Sequence, residues 1–149
     1  MLLTGAFRRA LDEKGRVAIP RRMRGVASAE QALTVYVAPG TDGCLAIYSE
    51  EAFRQLGEKL GTGSPTGSDV RAFSRLFYAR AQSVEVDSQG RMRIPPDLKQ
   101  MAGLDNEVMV VGVRDHLEIW DVPRWEAYLG AQQGQYDQLA ERAFQDGNS

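Results

Sequence analysis

Cysteine and histidine are almost missing from this chain. Cys44 and His116 are the only ones among 149 residues. A lone thiol cannot close a disulfide within the chain, which fits a reducing cytosol. Nor is there much material for catalysis. His116 has Asp115 beside it, but no serine or cysteine is placed to complete a triad. Cys44 and His116 hold matching places in the two halves of the chain, so a Cys–His metal pair is conceivable. No CxxC or HxxxH spacing supports one, and neither a metal nor a cofactor is expected. Long apolar runs are also lacking. Nothing approaches the ~20 residues of a membrane span, and Met1–Phe7 is too short and lacks the basic head of a secretory signal. The stretch Gly63–Ser68 has no Lys after its last glycine, so it is no phosphate loop. Glu50-Glu51 reads as charge at a helix N-terminus rather than an acid/base pair. These absences point away from an enzyme, a small-molecule substrate and a membrane.

Excess charge of either sign is missing too: the net is −2. Taken alone, that argues against nucleic acid. The distribution argues the other way. Residues 1–29 hold Arg8, Arg9, Lys14, Arg16, Arg21, Arg22 and Arg24 against only Asp12 and Glu13. A local field steers a polyanion more than the global sum does. The alternative is a solvated basic face with no partner. With 43% hydrophobic and 26% charged residues, the chain fits one compact domain or two small intertwined ones.

What is present is a repeat. The segment Asp12-Glu13-Lys14-Gly15-Arg16-Val17-Ala18-Ile19-Pro20 returns as Asp87-Ser88-Gln89-Gly90-Arg91-Met92-Arg93-Ile94-Pro95. Asp, Gly, Arg, Ile and Pro keep their places. A repeat spaced by half the chain implies two similar units. In each, a strand (Phe7–Leu11; Val84 and Val86) runs into a turn and a second strand ended by proline. Val17 and Ile19, like Met92 and Ile94, share an inward face, while Arg16, Arg91 and Arg93 face out. Short helical segments are expected at Arg21–Val26 and Asp97–Ala102. Strand pairs follow at Leu33–Ala38 with Leu45–Tyr48 and at Val108–Val113 with Leu117–Trp120. Ser49 and Asp121 then cap two helices, inside which Phe53 matches Trp125. The first helix fades at Gly57–Gly61, and Gly61–Ser68 is a flexible connector. Asp69–Ala81 forms an amphipathic helix with Val70, Phe73, Leu76 and Phe77 on one face. A longer C-terminal helix carries Trp125, Tyr128, Leu129, Tyr136, Leu139 and Phe144, mostly toward the core, and is weakened by Gly130 and Gly134. The corresponding divisions are 6–53, 54–81, 82–125 and 126–149.

Each residue type in the turn has a physical use. Asp12 and Asp87 can accept backbone N–H bonds two or three residues on and so close the loop. Gly15 and Gly90 supply positive φ. Arg16 and Arg91 then stand on rigid strand starts, where a planar five-donor fork suits phosphate or the O6/N7 edge of guanine. Lys14 and Gln89 sit at the loop apices and could add contacts. A single tip of this kind could simply be a fastened hairpin, since exposed Asp–Arg pairs are common and weak. Keeping the arginine in both copies while Glu-Lys diverged to Ser-Gln favours a shared partner, and duplex DNA is the commonest repeating one.

These residues, together with Gly103-Leu104, Val108–Gly112 and Leu117-Glu118-Ile119-Trp120, resemble the MraZ family, bacterial proteins with two tandem SpoVT/AbrB-type domains. The resemblance covers nearly the whole chain. It implies an α+β fold: two swapped-hairpin β units forming one pseudo-two-fold β-barrel, with flanking helices. It implies a cytoplasmic, nucleoid-associated regulator that binds double-stranded DNA at repeated promoter boxes of a division and cell-wall gene cluster. Ring-like homo-oligomers are implied as well. The family's Asp-x-x-x-Arg element carries over to Asp12 and Arg16 and to Asp87 and Arg91, with Lys14, Gln89, Arg93 and Arg8 as supporting contacts. Met92 departs from the usual aliphatic residue, which concerns packing. The competing readings are an assembly module whose tips touch nothing, and an antitoxin-like AbrB regulator, for which a single domain with a disordered tail would be expected.

Overall fold

A computed structural model describes residues 2–21, 33–61 and 67–147. The expected helix Arg21–Val26, apart from Arg21 itself, lies outside the described residues, as does most of the Gly61–Ser68 connector.

The described strands are β1 (Ala6–Ala10), β2 (Arg16–Ala18), β3 (Leu33–Pro39), β4 (Leu45–Ser49), β5 (Gln82–Val86), β6 (Arg91–Arg93), β7 (Glu107–Val113) and β8 (His116–Asp121). The helices are α1 (Glu50–Gly61), α2 (Ser68–Arg80), α3 (Pro96–Met101), α4 (Val122–Gln132) and α5 (Tyr136–Gly147). All eight strands lie in one antiparallel sheet, ordered β1-β7-β8-β4-β3-β5-β6-β2, and β1 touches β2, so the sheet curls into a nearly closed barrel. The expected α+β barrel with flanking helices is what forms.

Strands from the two repeats alternate in pairs around the barrel: β2 and β1, then β7 and β8, then β4 and β3, then β5 and β6. β1 pairs with β7, β2 with β6, and β3 with β5. The strands on either side of each Asp–Arg turn therefore ladder mainly onto the other half of the chain, as a swapped-hairpin barrel requires. The register carries the pseudo-symmetry. Val17 faces Met92 and Ala46 faces Glu118, and in each pair the partners are repeat equivalents. The local two-fold passes between them. Exchanging the repeats returns the same cyclic strand order.

Alternation along each strand explains which side is buried. Val17, Ile19, Met92 and Ile94 turn inward and join Val37, Leu45, Val110 and Ile119 in one core drawn from both halves. A second cluster lies outside the sheet, where Trp120, Cys44 and Val111 pack with Met109 and Trp125. Its repeat equivalent is an aromatic group in which Phe53 stacks on Tyr36 at 4.5 Å and lies 5.8 Å from Tyr48.

The caps fall where their residue types predict. Ser49 Oγ accepts from Ala52 N at 3.1 Å, and the Asp121 carboxylate accepts from Arg124 N at 3.3 Å. Three expectations need correction. α1 does not fade at Gly57 but runs to Gly61; packing of Phe53 between Tyr36 and Tyr48 outweighs the weak helix preference of glycine. The C-terminal helix is not continuous. A 3-10 turn at Gln133–Gln135, centred on Gly134, separates α4 from α5. Beyond that break the apolar side chains miss the core: Tyr136 is 73% and Phe144 76% exposed.

Candidate nucleic-acid interface

The two Asp–Arg tips are built alike, and each is closed by its own backbone. Asp12 N donates to Arg16 O at 3.0 Å and Gly15 N to Asp12 O at 3.0 Å. The second tip repeats both bonds, Asp87 N to Arg91 O and Gly90 N to Asp87 O, each at 2.9 Å. Gly15 and Gly90 sit at φ +76° and +80°, where a Cβ is strained.

The aspartates then fill the turns. Asp12 Oδ1 accepts from Lys14 N at 2.9 Å and Arg16 N at 2.8 Å, and Oδ2 accepts from Arg16 Nε at 2.8 Å. Asp87 Oδ1 accepts from Gln89 N and Arg91 N, both at 2.9 Å, and Oδ2 from Arg91 Nε at 3.2 Å. The bonds reach two and four residues on, so each carboxylate spans the whole loop and the arginine as well. Asp12 is held below the ordinary aspartate range, first by the Arg16 backbone N–H and then by its guanidinium. For Asp87 the Arg91 backbone N–H leads, with Gln89 N–H and the Arg91 side chain behind it. Both stay ionised at neutral pH.

Among the described residues, each guanidinium is engaged through Nε. Among the described residues, nothing accepts from the Nη nitrogens of Arg16 or Arg91. The carboxylate grips the side of the group and leaves its end free, the end that makes bidentate contacts with phosphate or guanine.

The tips also join each other. Ile94 N donates to Gly15 O and Ile19 N to Gly90 O, both at 2.8 Å. Between these bonds β2 and β6 form a short two-stranded ribbon, Arg16 opposite Arg93 and Ala18 opposite Arg91. The three arginines face out while Val17 and Met92 anchor the ribbon in the core. Arg16 and Arg91 are diagonal neighbours on one face, a separation of about 7–8 Å in such a ladder. Asp12 and Asp87 each offset one of these like charges. Lys14 and Gln89 are exposed at the apices; Glu13, beside Lys14, lowers the local field. Ile19 and Ile94 were legible as inward residues ahead of a proline, but not as the residues that join the tips.

Arg8 does not join this ribbon. It stands on β1, with Glu107 at 3.5 Å and Glu126 at 3.6 Å. Cys44 and His116 are occupied elsewhere. Cys44 Sγ donates to Thr41 O at 3.1 Å, and burial pushes the thiol up to about 12, so it is no nucleophile. His116 Nδ1 lies 2.8 Å from Asp115 Oδ1 and Nε2 3.5 Å from Glu118 Oε2, and its ring stacks on Tyr48 at 5.1 Å. Glu118 and Asp115 together hold His116 above its ordinary value. Among the described residues no group of three or more His, Cys, Asp or Glu could hold a metal ion, and no helix is long and apolar enough to cross a membrane.

A family model described as "MraZ protein, putative antitoxin-like" matches this chain twice, over residues 2–76 and 77–147. The chain belongs to the MraZ family. Its relatives include proteins named transcriptional regulator MraZ in Acetivibrio thermocellus, 41% identical over 93% of this chain and 94% of the relative. Others come from Thermomicrobium roseum, 41% identical over 85% and 86%, and Moorella thermoacetica, 38% identical over 95% and 96%. These MraZ proteins are named as regulators, not as enzymes. The tandem match accounts for the doubled Asp–Arg tip and for a barrel whose strands come in pairs from alternate halves.

Proposed function

We propose that this protein is a transcriptional regulator that binds double-stranded DNA through the β2/β6 ribbon. The observation that carries the reading is the pair of guanidinium groups on one outward face, each clamped at Nε with its Nη end free. A two-stranded ribbon is of a size that the major groove of B-DNA admits. Arg16 and Arg91 are the primary contacts to guanine edges or phosphates. Arg93 and Lys14 contribute phosphate contacts, and Gln89 a hydrogen bond. Arg8 belongs to a lesser rank, because it stands on β1, outside the ribbon, beside Glu107 and Glu126.

One ribbon offers few contacts, so useful affinity comes from several subunits engaging repeated boxes together. The family likeness supports a self-assembled ring and a target in the promoter of a division and cell-wall gene cluster, with the protein residing on the nucleoid. Footprinting on DNA upstream of the protein's own gene tests this: protection at evenly spaced short repeats is the expected result. Arg16→Ala or Arg91→Ala should weaken binding by roughly 1–3 kcal/mol, about 5- to 150-fold, without unfolding the barrel. Unchanged affinity for both variants in a gel-shift titration would remove the ribbon from the interface.

An antitoxin-like role is the second reading, prompted by the family description. It expects a disordered partner-binding tail, whereas residues 122–147 here are helical.

A further inference from the structure

The two hairpins are repeat equivalents, yet the face they share is not symmetric. Arg16 corresponds to Arg91, but Arg93 corresponds to Ala18. In the ribbon Arg16 stands opposite Arg93, and Ala18 opposite Arg91. One cross-strand row therefore carries two guanidinium groups and the other carries one. Asp12 pairs with Arg16 and Asp87 with Arg91, which leaves a positive charge on the first row and none on the second. The apices do not offset the difference. Glu13-Lys14 on one tip sums to no charge, and so does Ser88-Gln89 on the other.

The position of Arg93 is costly to the fold. Ile94 N donates to Gly15 O, so the neighbouring pair, Arg16 and Arg93, is of the kind that exchanges no backbone bonds. Such pairs bring their side chains closest, with Cα atoms about 4.5 Å apart, and like charges directly opposite weaken a ladder. Val17 and Met92 supply the inward packing of the ribbon, so Arg93 adds charge without adding packing. Its side chain is exposed, and among the described residues no ion pair or hydrogen bond occupies it, Glu85 on the adjoining β5 included.

We propose that Arg93 gives the ribbon a direction on DNA. Without it, the local two-fold would let the ribbon enter the groove either way round at nearly equal cost, since both ends would present the same clamped arginine. Arg93 holds a phosphate beside Arg16 and draws that row closer to the bases. The guanine under Arg16 is then read more strictly than the position under Arg91, and the ribbon sets its Arg16–Arg93 row on the guanine-bearing end of an asymmetric box. Arg93 is thus a positioning residue acting through Arg16. The inference rests on the DNA reading of the ribbon.

The test reads orientation as well as affinity. The full-length protein first selects its box from a random duplex pool. A DNA-cleaving reagent is then attached at Ser88→Cys, an exposed site on the second tip, while the buried Cys44 stays unmodified. In this parent the cuts fall on one side of each box. Adding Arg93→Ala weakens binding about fivefold or more and puts cuts on both sides. Adding Ala18→Arg to that variant moves the extra guanidinium to the other row; affinity returns and the cuts move to the opposite side. Arg93→Ala trims an exposed side chain and leaves the thermal transition unchanged, so that arm decides the matter even where Ala18→Arg unsettles its strand. Two-sided cuts by the parent, one-sided cuts by Arg93→Ala, or a folded double variant that cuts where the parent does each overturn the proposal while leaving DNA binding standing. A protein that retains no duplex from the pool overturns the DNA reading and this proposal with it.

Discussion

Asp12 and Asp87 turn a flexible arginine into an oriented one. Each carboxylate uses one oxygen on the loop backbone and the other on Nε, so the guanidinium has a fixed direction before any ligand arrives. The cost of ordering that side chain then falls on folding rather than on binding. The aspartates carry a pH signature. Their folded values lie below the ordinary one of about 3.9, so their contribution is present above that value and is lost as pH falls through the lower folded value. Carboxyl carbon shifts followed by NMR should give midpoints under the ordinary value for both; ordinary midpoints would mean that the clamps are open in solution. Gly15 supports the same geometry differently. A Cβ there meets nothing nearer than Ile94 O at 3.6 Å, so the obstacle is φ +76° rather than space. Gly15→Ala should cost about 1–2 kcal/mol in urea unfolding, and Gly15→Asn less, because asparagine tolerates the left-handed region. Asp, Gly and Arg were all readable in the repeat, since the turn chemistry is local. That the acid would grip Nε and free the Nη end was not, because it depends on a side-chain direction.

At the scale of elements, the ribbon is short and depends on its inward residues. Val17 and Met92 face each other across the local two-fold, both almost fully buried, and Met92 also pairs with Val86 on β5. Truncating Met92 to Ala removes the packing that seats β6 against both neighbours. The expected loss is about 2–5 kcal/mol, read as a lower midpoint in chemical denaturation. A loss below about 0.5 kcal/mol would show that the ribbon is seated by its backbone bonds alone. Alternation of Val17, Ile19, Met92 and Ile94 with the arginines made these strands and their inner faces legible. The partner strands were not. Each strand has the same period whichever neighbour it takes, and only closure of the barrel sends β2 to β6. The C-terminal region shows the converse failure: helical spacing was visible, but the break at Gly134 and the exposure of Tyr136 and Phe144 depended on where the barrel surface ends.

For the whole molecule, a net charge of −2 coexists with an arginine-faced ribbon. The field that matters is local, and it is the part a polyanion would meet. DNA affinity should therefore fall linearly on a log–log plot against salt, through counterion release. Arg16→Ala should flatten the slope by about 1 for each ribbon engaged, if that side chain neutralises a phosphate. Fluorescence anisotropy on a promoter fragment across salt concentrations measures both quantities. A flat dependence would point to a protein partner instead.

By itself the sequence determined two like units, their turn chemistry, their inward and outward faces and the family they belong to. The units, turns and faces follow from short-range periodicity and residue type, and the family from the resemblance of the repeated motifs. Tertiary structure alone decided that the tips of the two units meet. The Gly15–Ile94 and Gly90–Ile19 bonds join residues from opposite halves, and no local rule selects a partner so distant in the chain. Closing the sheet buries the inner faces of both units in one core, and that burial holds the arginines side by side.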